Sequence, residues 1–239
     1  MTSASADTAR QRLSDLREAM RRHAIDAWWL PSSDPHNSEY LPEHWAGREW
    51  LSGFDGSVGT LVVTQDEAGL WVDSRYFVQA EAQLAGTGIS MMKLTQGQAS
   101  APMQWLAERL EAGDTLGYDA QVVSLAHGRQ FEDILGERGV VLRGDSDLLD
   151  EIWRDRPSLP SGAIEPHAGR YLDETRRQRL DRVRTAMAEH HADWHLVSTL
   201  DDIAWLTTLR GADVGFNPVF LSHLLIGRAT ATLFVAPGK

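Results

Sequence analysis

An α/β protein is predicted, in which one structural unit begins twice. Three observations lead there. Helical and strand-like patterns alternate through the first two thirds of the 239 residues, the order expected when helices cover a sheet. A helix–strand–helix–hairpin order occurs at the start of the chain and again near residue 176. Between the two lies Asp155 to Arg170, broken by Pro157, Pro160, Gly162, Pro166 and Gly169.

The repeat can be read residue by residue. Arg10-Gln11-Arg12-Leu13 returns as Arg177-Gln178-Arg179-Leu180, and Arg17, Ala19-Met20, His23 and Asp26 meet Arg184, Ala186-Met187, His190 and Asp193. Leu13, Leu16 and Met20, like Leu180, Val183 and Met187, stand three and four residues apart, which puts each set on one helix face. Each helix runs into a short apolar strand, 27–30 or 194–197. Trp50-Leu51 and Trp205-Leu206 then precede glycine-containing loops, and hairpins are expected over Leu61-Val63/Gly69-Val72 and Leu224-Ile226/Thr232-Val235. In the first copy, helices follow over 76–84, 102–111, 125–137 and 147–153, with strands at 116–118 and 140–142. The second copy ends after its hairpin. The expected division is 1–154 as a first domain, 155–170 as a linker and 171–239 as the first half of a second, related domain.

Composition narrows the function. A net charge of −11 argues against nucleic acid, which requires a clustered basic footprint. The basic runs Arg10–Arg22 and Arg176–Arg184 contain interspersed acids and read as solvated helix faces. No apolar run approaches the roughly 18 residues of a membrane helix. The polar start lacks the form of a secretory signal. Zero cysteines exclude disulfides, thiolate catalysis and Cys-based zinc sites, in keeping with a reducing compartment.

Four stretches carry polar chemistry. Ser52 to Thr60, with Gly53, Gly56 and Gly59, lacks a phosphate-loop ending and reads as a tight loop needing positive φ or close packing. In Asp73-Ser74-Arg75, Asp73 or Ser74 is positioned to cap a helix; Arg75 falls at the positive end of that helix, where a carboxylate partner would explain it. Asp34 to Tyr40 reads as a surface loop opened by an Asp-Pro turn, with several groups able to meet a ligand. Asp201-Asp202 suit a helix N-terminus. His191 and His195 fall across a helix end and a strand rather than on one helix face, and neither HExxH nor GxSxG occurs.

These motifs resemble a known family. Ser52-Gly53-Phe54-Asp55-Gly56-Ser57, Trp71-x-Asp73-x-Arg75-Tyr76-Phe77 and Ile152-Trp153-x-x-Arg156-Pro157 are similar to the first domain of aminopeptidase P. Thr199 to Leu206, Leu209-Arg210-Gly211-x-Asp213 and Asn217-Pro218-Val219-Phe220 are similar to its second. The likeness is to the three-domain cytosolic Xaa-Pro aminopeptidases, M24 peptidases with creatinase/prolidase-type N-terminal domains.

The resemblance implies a mixed sheet flanked by helices, followed by the first half of a related α/β domain, with the pita-bread catalytic domain absent. It implies a parent hydrolase that removes the residue preceding proline at a peptide N-terminus. In that parent, two divalent ions, manganese by family habit, act by acidifying water and polarising the carbonyl. None of the five metal-ligand positions falls in this chain, so neither a metal site nor peptidase activity is expected of it alone. Arg75 matches an arginine that reaches towards substrate, and Glu39 an acid implicated in substrate contact across a dimer; Ser74 stands where the family commonly has glycine. A cytoplasmic homodimer acting on peptides with proline second is implied, with no nucleic-acid or membrane partner. A half-built sheet would leave an unpaired edge near Leu224 to Val235, favouring a dimer, a swapped assembly or disorder after Arg210. The alternatives are a stand-alone peptide- or partner-binding module and a regulatory pseudo-enzyme subunit.

Overall fold

A computed structural model describes residues 3–167 and 169–239. The chain forms two compact units, one from the residues up to Pro35 and Trp45–Pro157, the other from His36–His44 and Ser158–Lys239.

In the first unit, α1 (Ser3–Arg22) buries the predicted stripe of Leu13, Leu16 and Met20. It leads into β1 (Ala27–Pro31), buried along its whole length. α2 (Gly47–Ser52) ends at Gly53, whose φ of 71° turns its N–H back to Glu49 O at 2.8 Å. The hairpin β2 (Thr60–Thr64) and β3 (Ala68–Val72) follows, then α3 (Phe77–Leu84). Strand β4 (Ser90–Lys93) comes next; its mix of exposed and half-buried residues gave no alternating signal in the sequence. The remainder is α4 (Ala101–Ala107), β5 (Thr115–Tyr118), α5 (Leu125–Ile134), β6 (Val141–Arg143) and α6 (Leu148–Ile152). α4 stops short of the expected Glu111 because the chain turns there to enter β5, with Glu111 N–H bonded to Asp114 Oδ2.

The strands form one mixed sheet in the order β4-β3-β2-β1-β5-β6. β2 is antiparallel to both its neighbours, whereas β5 runs parallel to β1. Because side chains alternate across a strand, adjacent tryptophans serve opposite cores. Trp28 packs with Leu13, Leu51, Leu84 and Leu149 of the helices on one face, and Trp29 with Met103, Leu106 and Phe131 of α4 and α5 on the other.

In the second unit, the short strand β7 (Glu165–Pro166) precedes α7 (Arg176–Glu189). α7 opens on a capping box, Thr175 bonding Gln178 N–H while the Gln178 side chain reaches back to Thr175 N–H. Then come β8 (Trp194–Val197), α8 (Leu200–Thr207), β9 (Leu209–Arg210), β10 (Ser222–Gly227) and β11 (Ala231–Val235). β10 lies between β8 and β11, antiparallel to both, as β2 lies between β1 and β3. Among the described residues the open edges are therefore β8 and β11, and Leu224 is interior. β7 pairs with β9, so the Pro/Gly-rich stretch carries a strand as well as a linker. The chain beyond Arg210 is built into β10 and β11 rather than left without structure.

The repeated arginines are tools of the fold, not merely solvated faces. Arg12 donates to Trp50 O and lies over the Trp50 ring at 4.4 Å; Arg179 donates to Trp205 O at 2.5 Å and lies over that ring, also at 4.4 Å. Arg17 Nε donates to Thr64 O at 2.9 Å at the end of β2, and Arg184 Nε to Gly227 O at 3.1 Å at the end of β10. Each pair of arginines thus fastens its helix to equivalent backbone carbonyls, satisfying acceptors and covering tryptophan with one side chain. That gives a physical reason for the recurrence of these arginines in the sequence.

Candidate functional site

Two polar sites emerge, one in each unit. In the first, the chain leaves β3 at Val72 and turns at Asp73. Asp73 Oδ1 accepts the Arg75 N–H at 3.0 Å, and its carboxylate takes Arg75 Nε at 3.0 Å and Nη2 at 2.8 Å. This is the carboxylate partner that Arg75 required. Neither Asp73 nor Ser74 caps α3, whose N-cap residue is Tyr76 and which has no side-chain cap. The Arg75 guanidinium lies 5.2 Å from the Tyr76 ring and its side chain is 64% exposed. Tyr76 in turn hydrogen bonds Ser57 through its hydroxyl at 2.7 Å and packs edge-on to Phe54.

The glycine-rich loop behind Tyr76 is held from within. Arg48 is buried and donates to Ser32 Oγ at 2.7 Å, Phe54 O at 2.6 Å and Gly56 O. Burial pushes its pKa down to about 10. A Cβ on Gly56 would sit 2.2 Å from the Phe54 ring, so only glycine fits there. Both expected uses of glycine are present, positive φ at Gly53 and close approach at Gly56.

The hydrogen bonds from the Arg75 side chain hold the Asp73 carboxyl below its usual range, with burial opposing. An acid depressed in the folded state adds stability that is present above its unfolded pKa and lost as pH falls through the folded one. The pair is exposed, so the gain is no more than a few tenths of a kcal/mol. Arg75→Ala, which removes the side-chain hydrogen bonds but keeps the backbone N–H on Asp73 Oδ1, is expected to raise the Asp73 pKa in a carbon-detected NMR titration. An unmoved Asp73 pKa would show that the pair does not form in solution.

Glu39 belongs to the second unit, because residues 36–44 fold with it rather than with the strand they follow. His36 Nδ1 meets Ser198 O at 2.9 Å, and its ring lies against His223, centroids 4.6 Å apart. His223 Nδ1 meets Ser198 Oγ at 2.9 Å. This anchor brings Ser38, Glu39 and Tyr40 to a cavity of about 290 Å³, completed by Leu200, Asp201, Val214, Asn217 and Val219. Leu200, Val214 and Val219 are buried and form an apolar floor. Nothing local in the sequence announced that this loop joins residues some 160 positions later. Arg75 and Glu39, the two residues singled out from sequence, are therefore placed in different units. Among the described residues, no three His, Cys, Asp or Glu side chains converge as metal ligands.

Models of the creatinase/prolidase N-terminal domain match residues 12–151, well over half of the chain, and 155–239. The chain belongs to the creatinase/prolidase N-terminal domain family. Among curated members, it is 36% identical over 237 residues to a probable Xaa-Pro aminopeptidase P of Talaromyces marneffei, covering 98% of this chain and 36% of that protein. A homologue of the same name from Coccidioides posadasii is 36% identical over 233 residues, covering 96% of this chain and 38% of its own length. The chain thus spans little more than a third of these relatives. A crystal structure of the X-prolyl aminopeptidase of Caenorhabditis elegans, described as cytosolic with a di-nuclear active site, superposes with a TM-score of 0.89 at 31% identity. That match covers 97% of this chain and 39% of the nematode enzyme.

Proposed function

We propose that the chain is the non-catalytic N-terminal region of a cytoplasmic Xaa-Pro aminopeptidase, and is inactive alone. The observation that carries this reading is its near-complete superposition on only 39% of the nematode enzyme. The metal ions of a di-nuclear site, manganese in this proposal, would be held by residues outside the chain, since its described residues offer no ligand cluster. Residues 1–154 form the first domain in this reading, 155–170 the connection and 171–239 the start of the second. Their work is to support a homodimer and to shape the substrate site, with no nucleic-acid or membrane partner. Arg75 meets a peptide carbonyl or carboxylate, to which its planar donors are suited, and Glu39 meets the free amino terminus.

The test is hydrolysis of Arg-Pro-Pro with added manganese by this chain and by a version extended through the downstream reading frame. Cleavage by the extended protein alone supports the proposal. Cleavage by the 239-residue chain overturns it. If neither cleaves, a peptide- or partner-binding module or a regulatory pseudo-enzyme subunit becomes the better reading.

A further inference from the structure

The motif Ile152-Trp153-x-x-Arg156-Pro157 stands where the chain leaves the first unit. Its apolar members rest on the core that contains Leu13, Leu16 and Met20: Ile152 packs on it, and Trp153 stacks on Trp50, ring centroids 4.9 Å apart. Arg156 goes elsewhere. Strands β1, β5 and β6 are parallel and end at one edge of the sheet. Just beyond their carboxyl ends come Ser33 and Asp119, both buried, and Asp147, mostly buried. Open α/β sheets take their ligands at such an edge. Here the chain itself fills the place. The Arg156 side chain, 9% exposed, donates from Nη1 to Asp147 Oδ2 at 2.5 Å and to Asp150 Oδ1 at 2.6 Å. Its guanidinium lies 5.5 Å from the Trp45 ring and 5.7 Å from the Trp153 ring. The space left among Ser33, Trp45, Asp119, Asp147 and Arg156 is about 10 Å³, room for a single water.

We infer that Arg156 is a latch: its guanidinium is the resident ligand of the crevice at the ends of β1, β5 and β6, and through it the exit segment 153–157 is tied to the sheet. The acids of the crevice are fixed in place. Asp147 Oδ1 caps α6 by accepting the Leu149 N–H at 2.9 Å, and Asp119 Oδ1 accepts the Gln121 N–H at 2.8 Å. Neither acid is able to turn out to solvent without giving up that bond, so the crevice requires a cation. Burial holds the Asp119 carboxyl above its usual range, aided by Asp147 and Asp150 and opposed by the Gln121 N–H and by Arg156. A planar, weakly hydrated guanidinium suits a dry place beside aromatic rings better than an ammonium does.

Chemical rescue separates a latch from an ordinary buried ion pair. Arg156→Ala is expected to lower the melting temperature by roughly 10 °C, because buried carboxylates lose their cation. Ethylguanidinium at about 20 mM, far below the molar range in which guanidinium denatures, should restore most of that loss along a saturating curve. It should also bring the Asp119 pKa, raised by the substitution, back down in an NMR titration. The segment itself should stay loose, since the added cation has no covalent link to it. The amide of residue 156, bonded to Trp153 O at 3.1 Å, should exchange about tenfold faster in the variant with or without ethylguanidinium. An unchanged melting temperature in Arg156→Ala, a loss that ethylguanidinium does not restore, or slow exchange regained together with the melting temperature overturns the inference. Should Arg156→Ala not fold, Asp147→Asn decides, because asparagine still caps α6 but lacks the charge. Faster exchange at residue 156 in that folded variant supports the latch, and unchanged exchange overturns it.

Discussion

Replacing Arg48 by methionine is expected to lower the unfolding free energy by about 3 kcal/mol, read from urea denaturation at neutral pH. Two effects of opposite sign set the figure. Burying the guanidinium costs on the order of 3 kcal/mol, from its pKa of about 10. Against this stand hydrogen bonds to Ser32 Oγ, Phe54 O and Gly56 O, each worth roughly 1.5–3 kcal/mol when the donor is charged. Methionine escapes the burial cost but abandons all three acceptors, so the hydrogen bonds decide the sign. The burial cost is a depressed base, present in full below pH about 10 and relieved only above it, so the loss should be flat across neutral pH. Lysine in place of Arg48 keeps the charge but not the fork, and should recover only part of the loss. A methionine variant as stable as the parent would mean that the loop 53–59 is not organised from Arg48.

The role of Arg48 also shows where the sequence stopped being legible. The helix, strand and hairpin order of both units could be read because each depends on periodicity, which is local. The stripe of Leu13, Leu16 and Met20 and the run of buried residues in β1 are signals of that kind. The glycine loop was legible for the same reason, since positive φ at Gly53 and crowding at Gly56 restrict the residue type on the spot. What holds the loop was not, because a buried arginine looks in sequence like any surface arginine. The arginines on α1 and α7 were misread in the same way. Their recurrence at a constant offset was visible, but their targets, the carbonyls of Trp50, Thr64, Trp205 and Gly227, lie on other elements. Of the candidate sites, the Asp73–Arg75 pair was half legible, since the partner is two residues away. The cavity around Glu39 was not legible at all; its walls come from three separated segments.

The second unit invites the other large prediction, self-association of the isolated chain through one face of its sheet. Register equates Trp194, Leu196, Leu225 and Phe234 with Ala27, Trp29, Val62 and Trp71 of the first unit. In the first unit that face is buried beneath Met103, Leu106 and Phe131 of α4 and α5. In the second, Trp194 is 61% exposed, Leu196 60% and Phe234 52%. Adjacent exposed apolar side chains of this size on one sheet face mark an interaction surface. Sedimentation between about 5 and 200 μM should show concentration-dependent association, a range matched to micromolar affinity. Leu196→Lys with Phe234→Lys should leave a monomer, and because both side chains are already exposed the melting temperature should hardly move. The open edge of β11 is a second route to the same assembly, by strand pairing rather than face packing. Ala231→Pro separates the two: next to the Gly227–Thr230 hydrogen bond, Ala231 faces Ile226 in a non-hydrogen-bonded pair, so its N–H points to the open edge, and proline there disables that edge but leaves the face intact. Association that survives the lysines and yields to proline would assign the contact to the edge. A monomer at every concentration would mean that neither surface is sticky enough to pair.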